Sequence, residues 1–433
     1  MSSDIILSTK HAILSSSGTR YNDLFYSVAN SSVSLLECTF GWQNIISLPS
    51  LQFGSSSQIN IPIDQFIGDI VLHLRLPNTQ ANETLARGWG YAMLQSISYT
   101  FGNSSSTAIV LQNDAIFMTA MAQCNDSGKR RDVMHLAGEQ ILQPQVAPPG
   151  GDIPFIDAYI LLPFPMSTLC GDKLPYDSTM LQSNITLQIQ FNQNPNLIYG
   201  GAPANPHPTA FTIGEIMLRQ GKLSNQSASV RSLMIADPNL NYSYPYIHSQ
   251  YFQSQAFNGV RQSDQYQGCT IELNAFSNAD LVGISFYVVA ITDKAPVGNN
   301  SPNPFNTDDI SNVLVTFNGS TLFNLPYQSY RLTNMLAGPQ TGSQFANSIT
   351  NPGTTAPFTA FPKDCFMVYL DFSRERSACI QSHFFNVFRL PNQILRIQFN
   401  TTQGNSTQYR LYATYFYNAV VETSNGSSLI RID

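Results

Sequence analysis

Six histidines, at His11, His73, His135, His207, His248 and His383, are the residues best suited to hold a metal or move a proton near neutral pH. No two lie within four positions of each other. A metal site on a β-scaffold needs closely paired His on one strand, so this spacing does not build one. His73 sits inside the alternating run IVLHLRL and reads as a structural histidine. The six cysteines (Cys38, Cys124, Cys170, Cys269, Cys365, Cys379) are widely and irregularly spaced, with no C-x-x-C. They read as buried free thiols of a chain folded in a reducing compartment. Asp308-Asp309 is the adjacent acidic pair, and it reads as a helix cap or solvated turn rather than a calcium site. The chain has no G-x-S-x-G elbow, no phosphate-binding P-loop and no G-x-G-x-x-G turn. No two of its 27 acids stand out as a glycosidase pair. Catalytic, cofactor-binding and metal-ligating residues are therefore all assigned as none, and no cofactor is expected.

Other residues suggest contact rather than catalysis. The aromatic-rich NYSYPYIHSQYF (Asn241–Phe252) could stack on sugars or a partner, but alternating aromatics on a strand read first as cross-strand and core pairs. Lys129-Arg130-Arg131 is the basic triplet and reads as a solvated loop. Twelve N-x-S/T sequons occur, at Asn184 and Asn400 among others, in a chain so rich in Asn and Ser that many arise by chance.

Such residues must be positioned by elements, and composition bounds what those are. Of 433 residues, 21 are basic and 27 acidic, or 11% charged, against roughly 25% for an ordinary soluble domain. The 36 Asn and 31 Gln outnumber all charges. A hydrophobic share of 43% is enough for real cores and excludes disorder driven by charge. A net charge of -6 with six Lys argues against a surface that binds nucleic acid by neutralising phosphates. The longest apolar stretch, Leu281 to Ile291, is about half a membrane span. The opening MSSDIILSTKHAILSSSG lacks a basic head and apolar core, so no secretory signal is expected.

The apolar residues alternate with period two or form short runs between Gly, Pro, Asn and Ser clusters, which is strand punctuation. Expected strands in the first half include Ser34–Phe40, Ile59–Ile63, Ile70–Leu76, Ser96–Phe101, Asp157–Leu162, Ile185–Phe191 and Phe211–Leu218. In the second half they include Cys269–Phe276, Val282–Ile291, Val313–Phe317, Phe366–Phe372, Ile394–Phe399 and Tyr409–Tyr417. The spacing predicts a helix over Val110–Ala122 and a shorter one over Tyr327–Leu336.

Three segment pairs recur in order. ISYTFG from Ile97 resembles VLVTFNG from Val313, DAYILLPF from Asp157 resembles CFMVYLDF from Cys365, and NITLQIQFN from Asn184 matches NQILRIQFN from Asn392 at six of nine positions. The offsets are 216, 208 and 208 residues. Three collinear pairs at a near-constant offset indicate one β-domain duplicated. The expected organisation is an N-terminal arm over 1–24, a first domain over 25–223, a linker over 224–238, and a second domain with a C-terminal tail over 239–433. With roughly eight strands per half the fold class is all-β: two tandem eight-stranded jelly rolls with short helices in the loops. Most of each half is then loop, with long excursions at 102–152, 293–309 and 337–362, and long loops usually serve function or interaction.

Taken together, the duplicated plan and the segment DAYILLPFPMSTLCGDKLPYDSTMLQSNITLQIQF (Asp157–Phe191) resemble the double jelly-roll major capsid proteins of double-stranded DNA viruses, in the group of nucleocytoplasmic large DNA viruses, polinton-like viruses and virophages. The likeness is a strand, a Pro-containing apolar stretch, a Leu-Pro turn and another strand; after Pro165, Met-Ser-Thr-Leu-Cys stands where that group has an aromatic run. The resemblance implies a non-enzymatic capsid protein of the virion, assembled inside a host cell. It implies pseudo-hexagonal homotrimers that tile an icosahedral shell through capsomer–capsomer contacts. Implied partners are the chain itself, minor capsid and penton proteins, and an internal membrane beneath the shell as a further candidate, with no direct nucleic acid. The long excursions would form outward towers and intersubunit clasps, and the 1–24 arm would lie beneath. The alternative is a carbohydrate- or receptor-binding tandem β-sandwich of fibre or lectin type.

Overall fold

In the computed structural model of the protein, the described residues of the first half are 38–63, 66–81, 83–85, 89–101, 108–112, 114–123, 132–133, 136–138, 156–164, 167–169, 172–174, 176–178, 181, 184–195, 198–201 and 203–223. Those of the second half are 241–259, 280–290, 310–317, 320–326, 368–371, 385–386, 395–401, 408–424 and 427–432. The arm 1–24, the linker 224–238, the strand expected at Cys269–Phe276, the helix expected at Tyr327–Leu336 and the excursions 293–309 and 337–362 lie outside them, as do Asp308-Asp309 and Lys129–Arg131.

The first half runs β1 (Cys38–Ser47), β2 (Ser56–Ile61), β3 (Phe66–Arg75), β4 (Glu83–Leu85), helix α1 (Trp89–Ala92), β5 (Leu94–Phe101), β6 (Ala108–Gln112) and helix α2 (Asp114–Gln123). It continues with β7 (Asp157–Leu162), β8 (Ser167–Leu169), β9 (Asp172–Leu174), β10 (Tyr176–Asp177), β11 (Ile185–Phe191), β12 (Tyr199–Gly201) and β13 (Ile213–Leu223). One sheet has the order β1-β13-β3-β10, with β7 also paired to β3; the other is β2-β11-β5-β6. Apart from the β5–β6 hairpin, the long strands alternate between the two sheets along the chain, and every pairing is antiparallel. Four long strands per sheet in this order make a jelly roll.

The alternation seen in the sequence becomes the core. Along β2 the burial alternates strictly, with Ile59 and Ile61 inside, and along β11 Ile185, Leu187, Ile189 and Phe191 all point in. Each large apolar side chain so buried contributes about 1.5–3 kcal/mol. Aromatic rings close both ends. At the Phe101 end of β5, Tyr99 and Tyr176 meet Phe164 edge-on at 5.1 and 5.6 Å. At the Leu94 end, Phe211 packs on Phe53 at 4.6 Å and on Phe191 at 5.0 Å.

The second half comprises β14 (Asn241–Gln253), β15 (Phe257–Asn258), β16 (Asp280–Ala290), β17 (Ile310–Phe317), β18 (Ser320–Pro326), β19 (Val368–Asp371), β20 (Phe385–Asn386), β21 (Leu395–Thr401), β22 (Gln408–Ser424) and β23 (Ser427–Ile432). Its larger sheet has the order β14-β22-β16-β19, and a second sheet is β18-β17-β21. These orders repeat those of the first half: β14 stands where β1 does, β22 where β13 does, β16 where β3 does and β19 where β7 does.

All three repeated segments fall on equivalent strands. β5 pairs with β11, and their counterparts β17 and β21 pair with each other. β7 lies on β3, and its counterpart β19 lies on β16. The register differs by two residues: Ile97 faces Ile189, whereas its counterpart Val313 faces Phe399, the counterpart of Phe191. A two-residue offset keeps each side chain on its own face, so the duplicate tolerates it.

One expectation needs correction. The helix predicted over Val110–Ala122 begins at Asp114; Ala108–Gln112 is strand β6, paired with β5. There Ile109 and Leu111 are buried while Val110 and Gln112 are exposed. The period is therefore two up to Gln112, and the polar Gln112-Asn113-Asp114 marks the change to helix α2, which buries Ala115, Ile116, Phe117 and Ala120.

Candidate functional site

Among the described residues no group of three or more His, Cys, Asp or Glu is arranged to hold a metal. Two polar clusters the sequence did not reveal are structural in their geometry. On the outer face of the β1-β13-β3 sheet, buried His73 places Nε2 2.9 Å from an Asp157 oxygen and Nδ1 3.5 Å from Glu215. Its ring stacks on Tyr159 at 4.4 Å. Arg75 donates to both Asp157 oxygens, at 2.6 and 3.0 Å. Partial burial works to raise the Asp157 carboxyl, but the hydrogen bonds and charges of Arg75 and His73 outweigh it and hold the group below the usual carboxylate range. A carboxylate with one oxygen shared by Arg75 and His73 and the other held by Arg75 clamps strands β3 and β7 together. This agrees with reading His73 as a structural histidine.

The second cluster is a staple at one end of the barrel. The wholly buried Glu83 accepts from Gln80 N at 3.0 Å and lies 2.6 Å from His207 Nδ1, while His207 stacks on Tyr199 at 5.2 Å. The Gln80 side chain joins Pro206 and Asn205, each at 3.0 Å. Across the staple the partners are 124 to 126 residues apart in sequence, so no local motif announces them.

The aromatic segment from Asn241 forms β14. Tyr251 stacks with Tyr412 at 6.2 Å and Phe252 meets Tyr415 at 6.2 Å, the cross-strand pairs expected of it. Pro245 is tolerated because β14 is an edge strand of its sheet. The side of β14 bearing Ser249 and Tyr251 is the outer side: their register partners Phe416 and Thr414 lie opposite to the inward Ala413 and Tyr415. That outer side meets the first half, against α2 and β6. The hydroxyls of Thr119 on α2 and Ser249 on β14, both buried, hydrogen-bond across this joint. Phe416 is part of the same buried apolar cluster as the first-half core, with Tyr412 packed against it. The chain thus already contains one jelly-roll-to-jelly-roll contact.

Among the described residues, no element packs over the equivalent outer face of the first half at β1. Its edge strand β1 exposes Phe40, Trp42 and Ile45, at 36%, 56% and 68% of their surface. Arg219 on β13 lies over the Phe40 ring at 5.3 Å and pairs loosely with Asp69 at 3.6 Å. The other fully described tryptophan, Trp89, is buried on α1.

No family model matches the sequence, and no curated protein is similar to it in sequence. Solved structures match it closely in shape. The PBCV-1 protein VP54, in a crystal structure fitted into a reconstruction of the virophage Sputnik, is 15% identical with a TM-score of 0.60, over 91% of this chain and 96% of that one. The quasi-atomic model of the PBCV-1 virus capsid is 14% identical with a TM-score of 0.58, over 91% and 96%. The structure of the Sputnik virophage itself is 12% identical with a TM-score of 0.52, over 90% and 89%. The fold is the double jelly roll. In this double jelly roll the surfaces free to act are strand faces and barrel ends, and the exposed β1 face is the principal apolar one among the described residues.

Proposed function

We propose that the chain is a major capsid protein, a structural subunit of a virion shell, assembled inside a host cell and acting by self-association rather than catalysis. The observation that carries this reading is the match along nearly the whole length of both jelly rolls to proteins solved within virus capsids. Three copies, six jelly rolls in all, would form a pseudo-hexagonal capsomer, and capsomers would tile an icosahedral lattice. Loops at one barrel end would face outward as towers, and the 1–24 arm would reach minor capsid and penton proteins or a membrane beneath. The sparse charge suits such a surface: subunits packed side by side carry little like-charge repulsion. Interfaces of this kind rely on shape and on amide and hydroxyl hydrogen bonds.

Light scattering on a sizing column tests the reading. The expected mass is three times the 47.8 kDa of one chain, with hexagonal capsomers in electron micrographs. A protein that stays monomeric from micromolar to millimolar concentration overturns it and favours the receptor-binding β-sandwich.

A further inference from the structure

The strand that joins the two halves has a different task on each side. β14 is the edge strand of its sheet and pairs with one long strand, β22, among the described residues. Its outer side meets α2, β6 and β8 of the first half, where the buried hydroxyls of Ser249 and Thr119 hydrogen-bond. The preceding residue, His248, faces the other way, into the second jelly roll, opposite the wholly buried Tyr417. On that side Tyr415 neighbours Tyr417 along β22, and Ile284 and Phe286 lie one strand further on β16, all buried. The ionisable groups among these four are the phenols of Tyr415 and Tyr417, and burial pushes the latter up. From the first half, α2 brings Asp114, on the far side of the strand, while β6 and β8 bring no ionisable residue.

We propose that β14 is an acid-released strap: a proton taken from solvent by the His248 imidazole frees the strand from the second jelly roll and opens the joint between the halves. An imidazolium at a core-facing position loses its hydration. Burial already holds the His248 imidazole down, at about 4. The charged ring regains water when the strand moves. An edge strand is the element able to move, because one ladder rather than two must open, and Pro245 supplies no N–H to that ladder. Ser249 is the adjacent residue, so a displacement that carries His248 to water also draws the Ser249 hydroxyl off Thr119. A displaced imidazole titrates at its ordinary value of about 6.5, so between that value and 4 the displaced strand binds more protons than the docked one. The joint is therefore closed above about pH 6.5 and opens progressively as the pH falls towards 4. The device acts within one chain and does not depend on self-association.

Hydrogen exchange read by mass spectrometry on the full-length chain tests this. From pH 8 to pH 5, after correction for intrinsic exchange rates, the opening equilibrium of β14 should rise on the order of thirtyfold. Peptides from α2 should lose protection with it, while those from β11, in the core of the first jelly roll, should keep theirs. The rise should not exceed about tenfold per pH unit, since one proton drives it. In His248→Gln, which keeps a polar side chain without the titration, β14 and α2 should stay protected at pH 5. Undiminished protection of β14 at pH 5 in the unaltered chain overturns the strap, and so does a loss in β14 that leaves α2 protected. An equal loss in His248→Gln overturns it as well. Where that variant does not fold, the unaltered chain decides: a dependence steeper than one proton, or loss of β11 together with β14, assigns the opening to other groups and overturns the proposal.

Discussion

At the scale of single residues the protein uses its few ionisable groups as fasteners. Asp157 holds Arg75 and His73 across two strands, and Glu83 at the start of β4 holds His207 in the loop before β13. Each is a buried or half-buried carboxyl, tolerable because hydrogen-bond partners reach it. His248 on β14 differs, since burial pushes its imidazole down to about 4. Its folded pKa lies below the unfolded value of about 6.5, so between these values the unfolded chain binds more protons. His248 therefore leaves stability intact above about pH 6.5, erodes it as pH falls towards 4, and costs no more below that. The slope is at most about 1.4 kcal/mol per pH unit. Denaturant midpoints at pH 7, 6 and 5 should fall progressively, and His248→Leu should fall less steeply. Equal slopes in the two proteins would refute this role.

At the scale of elements, placement depends on close backbone approach at a few points. The short helix α1 is held by Gly90 N donating to the Ala137 carbonyl at 3.1 Å. Gly138 beside it has φ +88° and faces the Trp89 indole, which a Cβ would strike. Gly138→Ala meets both a left-handed backbone and a fixed ring, and should cost more than about 1 kcal/mol. Thermal unfolding would show it, and an unchanged midpoint would mean α1 docks otherwise. Strand identity was largely legible in sequence, because strands with one buried face alternate: β7 and β11 fall on their expected bounds. The two-residue register difference between β5–β11 and β17–β21 was not legible, since both registers bury the same faces.

At the scale of the whole molecule, a chain with 11% charged residues and an apolar strand face exposed among the described residues should associate with little dependence on salt. Raising sodium chloride from 50 to 500 mM collapses the Debye length from roughly 14 to 4 Å, yet the oligomer's dissociation constant should move less than about threefold. A steep fall in affinity with salt, measured by sedimentation, would assign the contact to charge pairs instead.

Sequence by itself determined that this is a duplicated β protein. Period-two alternation and three collinear repeats are local or self-comparing signals, and strand physics leaves them one reading. The absence of any short-range catalytic spacing was equally readable. Tertiary structure alone decided which outer face is covered and which is exposed among the described residues. β14 and β1 are both edge strands rich in aromatic and apolar residues, and nothing local separates Ser249 on one from Trp42 on the other. They differ because α2 and β6 of the same chain reach the first, while among the described residues no element packs over the second. Long-range packing sets that difference, at separations such as the 130 residues between Thr119 and Ser249.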